Sequence, residues 1–144
     1  MRKFSFVFAL LLTAYVWAEE PPIGYVKNVS GEASVTSAGN SVKAEVGSAV
    51  REGSVLKTGP QSSMGVTFKD ETMMSFGPDT ELTVDEYLYA PAKGKLKLSS
   101  KLAKGSLNYV SGVIAKLQPE AVSITTPTGI IGVRGTQFVV TVEK

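Results

Sequence analysis

Turn residues recur along this chain at short, uneven intervals, and they limit how long any element can be. Gly31, Gly39, Gly47, Gly53, Gly59-Pro60 and Gly77-Pro78 cut it into apolar–polar alternating segments. Turn signals spaced by roughly 6 to 12 residues between such segments are the pattern of an all-β domain. Tyr25 to Val29 and Glu32 to Thr36 flank Ser30-Gly31 and read as a hairpin. Val42, Ala44 and Val46 alternate with Lys43 and Glu45 up to Gly47, and Ser54 to Thr58 ends at the Gly59-Pro60 turn. Met64, Val66 and Phe68 share one face, as do Met74 and Phe76, while Leu82 and Val84 point inward. Gly105 to Val110 reads as a separate strand with Leu107 and Tyr109 on one face. Val110, Val113, Ile114 and Leu117 recur at helical spacing and allow at most one short helix. The expected fold is a sandwich or rolled barrel-like sheet of about ten short strands. The early glycine spacing leaves a β-solenoid as the alternative.

The most informative stretch lies near the carboxyl end. From Thr136 onward, Thr136, Phe138, Val140 and Val142 alternate with Gln137, Val139, Thr141 and Glu143, the period-2 signature of a half-buried strand. Ahead of it, Gly129, Gly132 and Gly135 recur every three residues, which calls for positive φ or a close backbone approach at some of them. Pro127 excludes a central-strand position and biases Thr126 toward an extended conformation. Arg134 stands between Val133 and Gly135 beside the final strand. If buried there, its guanidinium needs a carboxylate or carbonyl partner, with Asp70 or Asp79 as the candidates.

The run Thr126-Pro127-Thr128-Gly129-Ile130-Ile131-Gly132-Val133-Arg134-Gly135-Thr136-Gln137-Phe138 resembles the closing motif of the FecR domain, the periplasmic domain named for the ferric-citrate transport regulator. Gly31, Gly47, Gly53, Thr58-Gly59, Ser63, Phe68-Lys69-Asp70 and Gly105-Ser106-Leu107 agree in order, so the resemblance spans roughly residues 24 to 142. The chain departs from the family at Glu71, where glycine is usual. The resemblance implies a binding or signalling module. Complete members add a cytoplasmic segment that controls a sigma factor and a membrane-spanning helix, and relay the occupancy of an outer-membrane transporter. Neither added part is expected here. The candidate partner-binding or structural motif is Thr126, Pro127, Gly129, Gly132, Val133, Arg134, Gly135, Thr136 and Phe138.

Residues 1–18 read as a signal peptide: Met1-Arg2-Lys3 is basic, Phe4 to Ala14 is apolar apart from Ser5 and Thr13, and Val16-Trp17-Ala18 suits cleavage. The stretch from Phe4 to Ala18 is shorter than the roughly 20 residues needed to span hydrocarbon. Residues 19–23 then form a tether and 24–144 the β domain. The whole chain carries 15 Lys plus Arg against 13 Asp plus Glu; without Arg2 and Lys3 the counts are equal. A formally neutral domain argues against nucleic acid as a partner.

Chemistry is sparse. There is neither cysteine nor histidine in the sequence, which removes the commonest general base and the commonest transition-metal ligands. The neighbouring acids Asp70-Glu71 and Asp85-Glu86 point to opposite faces if extended, so neither is a ready two-carboxylate site. Neither an enzyme nor a cofactor is expected. Lys95, Lys97 and Lys101 alternate with Leu96, Leu98 and Leu102 as on a solvated strand edge; with Lys93 and Lys104 they are a weaker candidate basic patch for an acidic partner. The expected function is a stand-alone exported module in the periplasm, without stable membrane insertion of the mature chain. It would bind another envelope protein or cell-wall material. The alternatives are a structural envelope component, or an inner-membrane-anchored signal transducer if residues 1–18 are retained.

Overall fold

A computed structural model describes residues 21–132 and 135–143. Within them twelve strands run β1 (Gly24–Ser30), β2 (Ala33–Ser37), β3 (Asn40–Lys43), β4 (Ala49–Val50), β5 (Val55–Thr58), β6 (Ser63–Phe68), β7 (Met73–Phe76), β8 (Glu81–Ala90), β9 (Lys95–Val110), β10 (Val122–Thr126), β11 (Gly129–Gly132) and β12 (Gln137–Val142). One five-residue helix, α1 (Val113–Leu117), follows β9, and short 3-10 turns lie at Pro91–Lys93 and Pro119–Ala121. The fold is all-β, with one short helix as expected, and the sheet curls strongly into a half-barrel. Antiparallel pairing dominates, with β10–β9 the parallel exception, so the strands do not stack as the rungs of a solenoid.

The long strand β9 belongs to both halves of this sheet. Its amino-terminal part pairs with β8 on one side and, over residues 98–101, with β10 on the other. Its carboxyl-terminal part pairs with β7 and with β12. Leu98, Ser100 and Leu102 are buried before the bend, and Leu107 and Tyr109 after it. Inward positions thus pass from even to odd numbers, which an unbroken period of two forbids. A bulge opposite Glu81 and Leu82 supplies the extra residue, and Gly105 takes φ +92° beside it. A Cβ on Gly105 would overlap Thr80, so glycine is required there for space as well as for φ.

This corrects two expectations. Gly105 to Val110 is not a separate strand, because backbone pairing continues through the bend. Lys101 does not lie on an edge either, because β9 has neighbours on both sides over residues 98–101. Lys95 and Lys97 precede that stretch, where β9 pairs with β8 alone among the described residues, and all three lysines stand on its exposed outer face. A third correction concerns the first hairpin. β1 pairs with β4 and β6, whereas β2 pairs with β3 and β5, so the chain turns a corner at Gly31 between the two halves. The corner is pinned where the Glu32 N–H donates to Ser62 Oγ at 2.8 Å.

The concave side holds the core. Val26, Leu56, Met64, Val66, Phe68, Met74, Phe76, Leu82, Val84, Leu98, Leu102, Leu107 and Ile124 are buried together, with Met64, Val66, Phe68, Met74, Phe76, Leu82 and Val84 on the faces their alternation predicts. Each such side chain contributes roughly 1.5–3 kcal/mol on burial.

Candidate functional site

The closing stretch is a hairpin followed by a strand. β10 is buried at Val122, Ile124 and Thr126, and a two-residue turn, Pro127-Thr128, reverses the chain into β11. Thr126 Oγ1 reaches the Gly129 carbonyl at 3.1 Å and Thr128 Oγ1 at 3.1 Å, bracing the turn. Thr126 and Pro127 therefore do what their chemistry suggests: one braces the turn, and the other sits where no ladder N–H is needed. β11 pairs with β10 alone among the described residues and carries Ile130 with 75 % of its surface exposed.

Gly129 (φ +153°) and Gly135 (φ +110°) take positive φ, whereas the space around all three motif glycines is open. Gly129 and Gly135 thus serve backbone conformation rather than close approach, whereas Gly132 shows neither positive φ nor a close approach. Thr136 is exposed, and its carbonyl accepts from the Ser111 N–H at 2.8 Å while Ser111 Oγ donates to the Gly135 carbonyl at 2.7 Å. Phe138 stacks on Tyr109 with ring centroids 4.8 Å apart and so fixes β12 to β9. Val133 and Arg134 lie outside the described residues. A cleft of about 760 Å³ opens beside this loop, lined by Ala115, Pro119, Glu120, Ser123, Gly132 and Gly135.

Asp70, a carboxylate proposed from sequence as a partner for Arg134, is fully buried and already well supplied with donors. Oδ1 accepts from the Tyr87 hydroxyl at 2.8 Å and, weakly, from the Thr72 N–H at 3.4 Å. Oδ2 accepts from Thr72 Oγ1 at 2.7 Å and from the Ile114 N–H at 3.1 Å. The last bond ties the start of α1 to the β6–β7 turn, as does the Val113 N–H to the Asp70 carbonyl at 2.7 Å. Gly112 is needed where these segments meet, since a Cβ there would strike the backbone of Asp70 and Thr72. Burial first, and then the Asp70 charge, push the Tyr87 phenol far above its usual pKa; burial likewise raises that of Tyr109. No substrate reaches a cluster this deep, so it acts as a fold anchor. Sequence reasoning missed it, although Asp70 and Thr72 two residues apart in a turn are a local signal for side-chain capping.

The lysines are interleaved with acids. Lys97 Nζ lies 3.1 Å from Glu86, and Lys57 Nζ lies 3.0 Å from Glu81 on the same outer surface. The bulge in β8 turns both Asp85 and Glu86 outward, which overturns the expectation that they face opposite sides. Lys93 is exposed on the 3-10 turn, and Lys104 is half-buried opposite Glu81. The result is a surface of mixed sign rather than a continuous basic patch.

Among the described residues no three His, Cys, Asp or Glu side chains group to hold a metal, and no helix is long and apolar enough to cross a membrane. The family model described as FecR protein matches residues 54–144, which is well over half of the chain and takes in the whole closing hairpin, β12 and the Asp70 cluster. The match starts at Ser54, so β1 to β4 precede it. No curated protein and no solved structure matches the chain.

Proposed function

Because the chain belongs to the FecR protein family, we propose that it is a non-catalytic interaction and signalling module of the periplasm, exported by residues 1–18 and recognising another envelope protein. Family membership supports a signalling-related role. The observation that carries the interaction reading is the β10–β11 hairpin: an edge strand with open hydrogen-bonding positions among the described residues and a large apolar side chain, Ile130, held out to solvent. An exposed edge of this kind is a template for a partner's extended segment, with main-chain bonds supplying affinity and the projecting side chain supplying selectivity. The two-residue turn and the Thr126 braces present it in one conformation, which lowers the ordering cost of binding.

Affinity capture from envelope extract tests this reading. Ile130→Asp is expected to lose the partner recovered by the wild type. Replacing Lys95, Lys97 and Lys101 by Gln is expected to keep it within a few-fold, because exposed charges contribute roughly 0–1 kcal/mol each. Loss with the lysine variant and retention with Ile130→Asp would move the site to the charged face.

A further inference from the structure

We propose that the outer face of the half formed by β12, β9, β7, β6, β1 and β4 is a binding surface for a neutral polysaccharide chain. The inference rests on reading the protein as an interaction module, but it concerns a different face and a different class of ligand from the β10–β11 hairpin.

The strand register places side chains there in two rows. One runs Gln137, Val110, Met73, Thr67, Tyr25 and Ala49 across the six strands. The next runs Val139, Asn108, Ser75 and Gly65, with Asn28 opposite Gly65 on β1. Tyr25, Met73 and Val139 are 41 %, 46 % and 67 % exposed. Lys27, in the β1 bulge at the rim, is the single charged side chain among the described residues on the outward positions of β12, β7, β6, β1, β4 and residues 105–110 of β9; the lysines of β9 all precede Gly105. The other half is the opposite, with Lys57, Glu81, Glu86, Lys97 and Lys101 on its outer face. An uncharged strip this wide on one half only sets the chemistry of its ligand.

The polar groups on the strip are also held in place. Gly65 is buried because the Asn28 amide lies over it, and a Cβ at Gly65 would come within 2.7 Å of Asn28 Nδ2. Glycine here lets the amide lie flat on the sheet. Gln137 Nε2 donates to Asn108 Oδ1 at 3.3 Å, which orients a second amide. Amides and hydroxyls of Asn28, Ser75, Asn108 and Gln137 can each donate and accept, the pairing that vicinal sugar hydroxyls and acetamido groups require. Tyr25 offers an exposed ring beside them for the apolar face of a pyranose. Side chains one strand apart repeat at about 4.8 Å, close to the length of one sugar unit in an extended glycan.

Charge complementarity selects this occupant. A nucleic acid or an anionic lipid headgroup needs cations that the strip lacks, and a charged protein surface would leave its ions desolvated against neutral groups.

The test titrates the ¹⁵N-labelled protein with chitohexaose and, separately, with cellohexaose. At least one sugar is expected to shift resonances of Tyr25, Asn28, Thr67, Ser75, Asn108 and Gln137 while leaving β8 and β11 unmoved. Tyr25→Ala and Asn108→Ala should each weaken binding about tenfold or more, as loss of a central anchor does. Ser75→Lys, an exposed position tolerant of a long side chain, should abolish binding with the melting temperature retained. Raising salt tenfold should change affinity by less than about twofold, since no ion pair is involved. Absence of shifts on this face with both sugars at millimolar concentration would overturn the proposal. So would a protein partner whose cross-link at position 73 is lost in Ser75→Lys when neither sugar binds. Ile130-dependent capture is independent of all these outcomes, so failure here leaves the reading of the hairpin standing.

Discussion

The Tyr87 hydroxyl donates to Asp70 Oδ1 at 2.8 Å while accepting the Asp70 backbone N–H at 3.0 Å, so one phenol closes both sides of a buried turn. Phe68 stacks against the same ring at 5.5 Å between centroids. Asp70→Ala strips acceptors from Tyr87, Thr72 and the Ile114 N–H together, each a loss of roughly 1–3 kcal/mol. Chemical denaturation should show destabilisation of at least about 3 kcal/mol. A loss below about 1 kcal/mol would remove Asp70 as the anchor.

The same pair sets the alkaline limit. With its folded pKa raised, Tyr87 stays protonated in the folded chain above the point where it ionises in the unfolded one. Its contribution is fully present below about pH 10 and falls as pH rises beyond that value. Thermal melts should therefore decline above pH 10, and Tyr87→Phe should flatten that decline, leaving the part due to Tyr109. An unchanged alkaline slope in the variant would contradict the assignment.

Gly105 lies where a Cβ would overlap Thr80, whose Oγ1 accepts the Ser106 N–H at 3.1 Å and whose N–H donates to Thr58 Oγ1 at 3.0 Å. Gly105→Ala adds positive-φ strain of about 1–2 kcal/mol to that clash. It should lower stability by more than the same change at Gly94, which also has positive φ but open space around it. Equal effects at the two positions would show that the bend is not packed as described.

Glu71 occupies φ +71°, the left-handed region that favours glycine, in the turn between β6 and β7. Glu71→Gly is expected to raise stability by up to about 1 kcal/mol, read from the denaturation midpoint. A clear fall would mean that the glutamate side chain makes a compensating contact.

Much of the fold was legible because alternation reports burial directly. Met64, Val66, Phe68, Leu82 and Val84 face inward as their spacing predicts, and Pro127 sits in a turn. Pairing was not legible: the segments around Gly31 look like a hairpin, and only the long-range register shows that β1 and β2 join different halves. Bulges hid the rest. The passage of Leu102 to Leu107 across Gly105 looks like two strands in sequence because an added residue inverts the period. Of the candidate site, the turn and strand roles of Thr126, Pro127 and Phe138 follow from local chemistry. Arg134 falls outside the described residues. The Asp70 cluster depends on Tyr87 and Ile114, which are 17 and 44 residues away, beyond any local pattern.

Export has its own reporter, since Trp17 is the sole tryptophan and lies within the proposed signal peptide. Protein recovered from the periplasm should show no tryptophan emission, and its intact mass should lack Met1 to Ala18. Retained tryptophan fluorescence would favour the membrane-anchored alternative.

The central claim is that the β10–β11 hairpin is the contact surface, and a photo-crosslinking amino acid placed at position 130 in living cells tests it most directly. The account predicts a discrete protein adduct at position 130 and none from the same probe at position 99 on the charged outer face. No adduct at 130, or equal adducts at 130 and 99, would contradict it.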